Sequence, residues 1–456
     1  MPVNALFINF ALYLKCMEWE RLISDIRLGM EEYHDPHKHT RSDFQRDYDR
    51  LVFSSPFRRL QNKTQVFPLP GSVFVHNRLT HSLEVSSVGR SMAAEAALIL
   101  KERHSGQPWV DKITNIPDIT ATACLCHDLG NPPFGHSGEK TIATYFSEGP
   151  GLELKGKLSD AQWADLVNFE GNANSFRLLT HRFVGRRKGG FAMTYSSLAA
   201  IVKYPYSSLL AGKKGKFGFF ESERPLYERV ANELGIPRNE EGKYVRHPLV
   251  WLMEAADDIC YQIMDLEDAH RLRIISTEET ADILLNFFDP TVRDRRVASM
   301  KRLEDPNEQI GYLRSRVIGE LVGSCARSFA DHEEEILAGT LSTSLVDLAS
   351  DTLTKAYSHC AHVAETRIYC SSDVVDIEIA GNRIITYLIE VLMDAVMHPN
   401  KNFSKLLLKK VPEQYDIHAE NVYDRTLAVL DHISGMTDIY ALDLFRKLNG
   451  HSLPQV

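Results

Sequence analysis

The stretch Ala121-Thr-Ala-Cys-Leu-Cys-His127-Asp128-Leu-Gly130-Asn-Pro132-Pro133-Phe-Gly135-His136-Ser-Gly138-Glu139 concentrates small apolar residues and then reactive ones. Its first part has the composition of a helix buried among other helices. Its second part stops that helix, because proline lacks an amide hydrogen and its ring clashes with the preceding turn. A buried helix that ends at an adjacent His and Asp delivers an imidazole and a carboxylate where the chain turns out toward a cleft. Cys124 and Cys126 lie in the same segment, but without a second cysteine pair they read as buried thiols rather than as a zinc site.

Two flanking segments have helical periodicity. From Leu79 to about Arg103, the residues Val85, Val88, Met92, Ala96 and Ile99 recur at spacings of three and four, which predicts an amphipathic helix. His81 heads its apolar stripe. A histidine there is more often a packed core residue than a ligand, so its meaning depends on its neighbours. Further on, Met253-Glu-Ala-Ala-Asp257-Asp258-Ile-Cys-Tyr261-Gln-Ile-Met-Asp265 lies in a third helix, with Leu252, Ala256, Ile259, Ile263 and Leu266 as its core stripe. Asp257 has Met253, Cys260 and Tyr261 as helical neighbours, whereas Asp258 has Glu254, Tyr261 and Gln262. A carboxylate on the more apolar flank needs a cation or a paired partner. Asp257, Tyr261 and Asp265 step by four and fan over about 80° of one face. His81, His127, Asp128 and Asp257 together make a nitrogen and oxygen donor set without thiolate. Such a set suits Mn²⁺, Mg²⁺, Fe²⁺ or Co²⁺ at least as well as Zn²⁺.

The rest of the chain bounds these readings. The 456 residues carry 52 Lys and Arg against 61 Asp and Glu, a net charge of −9, with 44% hydrophobic residues. That balance excludes fibrous and mostly disordered classes, and argues against a protein whose main work is coating nucleic acid. No apolar run reaches the roughly 20 residues of a membrane span. Seven scattered cysteines, an odd number, read as reduced thiols and predict a cytoplasmic location. Helical spacing prevails, so the expected fold class is all-α. Met17 opens an amphipathic run and is a candidate true start, which would leave residues 1–16 upstream of it.

The order His81, His127-Asp128, Asp257 resembles the metal signature of the HD-domain phosphohydrolases. Longer words sharpen the likeness: Phe57-Arg-Arg-Leu-Gln-Asn-Lys-Thr-Gln65-Val66-Phe67, Arg78-Leu-Thr-His81, His127-Asp-Leu-Gly-Asn-Pro-Pro-Phe-Gly-His136-Ser-Gly-Glu139, Asn168-Phe-Glu-Gly-Asn172-Ala-Asn174 and Ile433-Ser-Gly-Met-Thr-Asp438-Ile-Tyr-Ala441. Together they resemble the bacterial deoxyguanosine triphosphate triphosphohydrolases and related dNTP triphosphohydrolases. The likeness is dense from about Arg41 to Asp268. It implies an all-α HD-domain helical fold with an additional C-terminal helical region. The expected organisation is an N-terminal arm over 1–40, a phosphohydrolase core over 41–275, and a C-terminal region over 276–456 for oligomerisation and base recognition. The partners implied are a dNTP and further copies of the chain, as a tetramer or hexamer.

The resemblance also implies roles. His81, His127, Asp128 and Asp257 would hold a divalent metal, Mn²⁺ or Mg²⁺ first. His136 and Glu139 would act beside the attacked α-phosphorus; three residues apart at a helix start, they can meet, and water attack on a charged phosphate needs such a proton-moving pair. Arg78, Lys203 and Lys216 would meet the triphosphate, where lysine acts as a point charge and arginine as a fork. Gln65 and Asp265 would contact the sugar with Asn172 nearby, Tyr261 would stand as a wall close to C2′, and Val66 and Tyr204 would also bind substrate. The competing class is a catalytically silent HD protein that senses nucleotides or binds single-stranded nucleic acid. His34, His37 and His39 with Arg41 and Arg46 read as a solvated arm more readily than as a metal site, and the runs at 185–190 and 212–215 could attract nucleotides or single-stranded DNA, although solvated loops are the commoner meaning of such charge.

Overall fold

A computed structural model describes residues 16–32, 40–68 and 74–452. His34, His37, His39 and the stretch 5–14 lie outside the described residues. The described chain is helical, and its β-pairing is confined to isolated bridges such as Thr64 with Asn77. Numbering only the helices that shape the site, these are α1 (Arg78–Arg103), α2 (Ile116–Cys126), α3 (Gly135–Ser147), α4 (Gly171–Thr180), α5 (Leu249–Arg271), α6 (Pro306–Asp331), α7 (Ser372–Met397), α8 (Val422–Ser434) and α9 (Asp438–Leu448). None of the described helices is long and apolar enough to cross a membrane.

The N-terminus of α1 is fixed locally. The Asn77 side chain accepts from the Thr80 amide at 3.0 Å and the Thr80 hydroxyl accepts from the Asn77 amide at 3.1 Å, a reciprocal cap that satisfies two amides the helix itself cannot. Val85, Met92 and Ala96 then face α2, α5 and α6, with Ile119, Ala123, Leu252, Ala256, Ile259, Leu313 and Val317 filling the first core. Met17, Trp19, Leu22 and Leu28 are buried in that same core. Cys124 and Cys126 are buried free thiols.

A second core mixes early and late sequence: Ile142, Phe146, Phe217 and Phe220 pack with Ile385, Leu388, Leu392, Leu427, Leu430 and Ile433. Helix α7 spans the two cores, with Val374 in the first and Ile384 onward in the second. A buried ion cluster ties α4 to α8: Arg177 pairs with Asp431 at 2.8 Å and with Glu223 at 2.7 Å. The turn after α2 depends on Gly130, where a Cβ would stand 2.2 Å from the Ser175 amide nitrogen and 2.4 Å from the Gly171 carbonyl. That close approach lets α4 support the His-Asp turn, with the Ser175 hydroxyl accepting from the Gly130 amide at 2.8 Å.

Candidate active site

The cores leave a cleft of about 420 Å³ between them. Helix α1 contributes His81 from its first turn, the end of α2 contributes His127, and α5 contributes Asp257. Their ligand atoms lie within 4.8 Å of one another. His81 Nε2 stands 3.1 Å and His127 Nε2 3.4 Å from Asp257 Oδ1. His127 Nδ1 is 2.6 Å from the Cys124 carbonyl oxygen, which can only accept, so Nδ1 carries the hydrogen and Nε2 the lone pair. That lone pair is buried and has no hydrogen-bond partner. An orphaned imidazole nitrogen aimed at a carboxylate, with its tautomer fixed from behind, is what a divalent cation requires of a ligand, so the three residues fit one. Burial opposes the charge on Asp257, but His127, His81 and Lys203 hold its carboxyl well below the ordinary range.

Asp128 stands beside this group. Its Oδ2 lies 2.7 Å from the Arg78 guanidinium and 3.6 Å from His127 Nε2, and Oδ1 accepts from the Asn131 side-chain Nδ2 at 2.5 Å. Arg78 is buried at the first position of α1, one turn before His81.

At the start of α3, His136 Nδ1 meets Glu139 Oε2 at 2.8 Å. The two differ in setting: the His136 side chain is 69% exposed and that of Glu139 only 7%. Glu139 Oε1 accepts from the Gly171 amide at 2.8 Å, and Lys216 Nζ lies 3.8 Å from Oε2 while pairing with Glu170 at 2.6 Å. Burial alone would raise the Glu139 carboxyl, yet His136, Lys216 and that amide keep it below its ordinary value. The same bond to Glu139 raises the pKa of His136. The pair is thus a carboxylate buttressing an imidazole, favouring its protonated form, and that imidazole lines the cleft.

Lys203 reaches the cleft with its ammonium 3.1 Å from Glu254, which also takes Arg246 at 2.8 Å. Gln65, Val66, Asn172, Tyr204 and Tyr261 also line the cleft, and the buried Gln65 Oε1 has no partner. Asp265 is the one sequence-chosen residue that does not line the cleft. It lies one turn deeper on α5, buried, and accepts from the Tyr369 hydroxyl at 2.9 Å. Burial pushes its carboxyl well up.

Several lining residues carry no signal in the sequence. Tyr369, Val374, Ile377 and Glu378 close the cleft from the C-terminal side. Tyr369 follows a π-helical turn, Ala364–Ile368, and its ring lies 5.7 Å from that of Tyr261. Asp258, which reads as the more solvated of the two adjacent aspartates, also lines the cleft, and burial with Asp257 alongside lifts its carboxyl to about 7.

Comparison with known proteins gives this geometry a family. The HD domain model matches residues 78–162 and the phosphohydrolase-associated domain model matches residues 349–447. A deoxyguanosinetriphosphate triphosphohydrolase-like protein of Pseudomonas aeruginosa is 35% identical, covering 96% of this chain and all of the relative. One from Synechocystis is 37% identical over the same shares. The chain belongs to the deoxyguanosinetriphosphate triphosphohydrolase-like family. A Yersinia enterocolitica deoxyguanosinetriphosphate triphosphohydrolase is 30% identical over 89% of this chain and 93% of its own. As a member of this family the protein is a hydrolase. The matched HD segment carries Arg78, His81, His127, Asp128, His136 and Glu139, while Asp257 lies beyond it and Tyr369 and Glu378 fall in the phosphohydrolase-associated segment.

Proposed function

We propose that the cleft hydrolyses a deoxynucleoside triphosphate, with water attacking the α-phosphorus and the bond to the 5′ oxygen breaking, to release a deoxynucleoside and inorganic triphosphate. The observation that carries this reading is the juxtaposition, in one cleft, of the orphaned His127 Nε2 beside His81 and Asp257 with the His136–Glu139 pair and the cations Arg78, Lys203 and Lys216.

In this reading His81, His127 and Asp257, with Asp128 at their side, hold the divalent cation. Mn²⁺ or Mg²⁺ when bound would withdraw charge from a phosphoryl oxygen and lower the pKa of a water. The chain's own residues do the rest. Arg78, Lys203 and Lys216 offset the roughly four negative charges of a triphosphate. Glu139 orients the His136 ring and favours its protonated form, which suits His136 to give a proton to the leaving 5′ oxygen; the pair is restored by the proton that the attacking water loses. Gln65, Val66, Asn172 and Tyr204 flank the nucleoside, and Tyr261 stands as the wall at C2′. Asp265 acts from behind that wall, by anchoring the Tyr369 phenol. Residues 41–275 are then the chemical core and 276–456 the region for base recognition and for assembly of a cytoplasmic homo-oligomer of four or six copies.

The test is product analysis. Protein stripped of metal and resupplied with Mn²⁺ or Mg²⁺ is given each dNTP and GTP, singly and mixed, and products are separated by chromatography. Deoxynucleoside with intact triphosphate is expected, with GTP spared. Monophosphate with pyrophosphate would overturn the reading.

A second, nucleic-acid-binding role has separate support. An open groove of about 540 Å³ is lined by Arg50, Arg186 and Arg187 with Phe191 and the 72% exposed Phe53, a mixture of cations and rings that suits a single strand. Binding of a labelled oligonucleotide that weakens steeply with salt is expected, and salt-independent or absent binding removes this role.

A further inference from the structure

We propose that the Ser434–Asp438 turn, drawn from the far end of the chain, positions the two loops that carry substrate-facing residues, with Asp438 as the positioning residue. The proposal rests on the reading of the cleft as a dNTP hydrolase and concerns how that site is held. Asp438 Oδ2 accepts from the Thr64 amide at 2.8 Å, and its Oδ1 accepts from the Phe134 amide at 3.0 Å. Beside it, the buried Lys63 ammonium donates to the Asn131 carbonyl at 2.5 Å and to the Ser434 carbonyl at 2.7 Å. Thr64 immediately precedes Gln65 and Val66, and residues 131–134 run between Asp128 and His136. One turn therefore fixes both loops that bracket the cleft.

Three observations separate this arrangement from ordinary packing. Asp438 opens α9 at a position where an acidic side chain usually serves its own helix, but the cap of that helix is the Thr437 hydroxyl, which accepts from the Tyr440 amide at 3.1 Å. Both Asp438 oxygens are thereby free to serve other loops. Phe134 sits in the left-handed region at φ 62°, a conformation that persists in a non-glycine residue only where its surroundings impose it. Here Asp438 takes its amide and Gly381 receives its ring. Finally, a carboxylate accepts at both oxygens, whereas an asparagine in its place would turn an NH₂ toward one of the two amides. The ligands His81, His127 and Asp257 are mounted on α1, α2 and α5, to none of which Asp438 hydrogen-bonds directly.

The full-length protein is compared with Asp438→Asn and Asp438→Ala, each loaded with Mn²⁺. The expected result is a fall of about 10²-fold in kcat/KM for a dNTP, the scale on which small misplacements act. Asn should be no better than Ala, and Asp438→Glu should recover part of the loss. Mn²⁺ affinity by titration calorimetry should stay within about twofold, and faster hydrogen exchange should be confined to peptides spanning 60–67 and 130–137. A folded Asp438→Asn protein with parental kcat/KM overturns the proposal. So does a loss of Mn²⁺ affinity and of exchange protection across the whole chain in step with activity, which would mark general destabilisation. Absence of turnover in the parent protein would defeat the hydrolase reading instead. The clamp would then be judged on binding of the intact dNTP itself, weakened in the variants if it stands and unchanged if it falls.

Discussion

The two walls of the cleft are built on different plans. The wall that carries His81, His127 and Asp257 is made of α1, α2 and α5, whose side chains share one apolar core directly beneath the polar atoms. The opposite wall of Tyr369, Val374, Ile377 and Glu378 comes from over a hundred residues later; Val374 is buried in, and Tyr369 packed against, that same core, while the wall is otherwise tied across the cleft by polar bonds: Tyr369 to Asp265, the Ser137 hydroxyl to the Glu378 carbonyl, Asn382 to Thr141. A group of atoms that must converge within a few ångströms is best mounted on helices that a shared core holds rigid. A wall that faces the variable part of a ligand can be mounted on separate anchors.

If that contrast is right, damage should be absolute on the first wall and graded on the second. The largest effect is expected for His127→Ala. It should abolish turnover and lower divalent-metal affinity by more than about 10²-fold, since even outer partners of metal ligands cost about 10- to 100-fold; metal content after dialysis, measured by mass spectrometry, checks this. Next is His136→Ala, expected to keep the metal and bind nucleotide but lose at least about 10²-fold in turnover, the lower range for a group that moves a proton. Near-normal turnover would remove His136 from the chemistry.

Smaller effects probe the second wall and the base of the first. At Gly381 on α7, a Cβ would stand 2.7 Å from the Phe134 ring. Gly→Ala inside a helix ordinarily gains about 1 kcal/mol, but here overpacking should cost about 1–3 kcal/mol and raise KM. Urea unfolding with steady-state kinetics would show it, and a simple stabilisation would mean that Phe134 moves freely. The smallest effect concerns His76, buried between α5 and α1, where Nδ1 donates to Asp268 at 2.8 Å and Nε2 meets Glu84 at 3.1 Å. Burial opposes its charge, but the two carboxylates outweigh it and lift its pKa to about 10. A group raised in the folded state stabilises fully below its unfolded pKa, near 6.5, and that contribution is lost as pH rises through 10. The Tm deficit of His76→Gln should therefore be greatest near pH 6 and shrink toward pH 10; a constant deficit would show that His76 is neutral in the fold.

Much of the first wall was legible because its determinants are local. The helix expected from Leu79 begins at Arg78, as the Asn77–Thr80 cap requires. The end of α2 at Cys126 follows from Gly130 and the proline pair, and the preference for Asp257 followed from its helical neighbours. Asp258, on the more polar flank, lines the cleft as well, because a helix has no sharp boundary between faces and both carboxylates reach the cleft's edge. The family resemblance placed Asp265 at the sugar, and it shares a face of α5 with Asp257 and Tyr261. The face continues, but the cleft does not, since Tyr369 fills the space above it. The sequence word Ile433–Ala441 could be recognised without its purpose being apparent, as its partners Lys63, Thr64, Asn131 and Phe134 lie about three hundred residues or more away.

Periodicity, caps and helix stops thus follow from the amino-acid order alone, because they depend on atoms within one or two turns of each other. They gave the all-α class and the elements that carry the metal-site residues, whereas most of the remaining cleft lining followed from the family resemblance. The contacts of Asp438 with two loops, of Tyr369 with Asp265 and of Gly381 with Phe134 arise only when distant segments close on one another. Their stability comes from burying shared apolar surface, which has no direction along the chain and leaves no periodic mark in it.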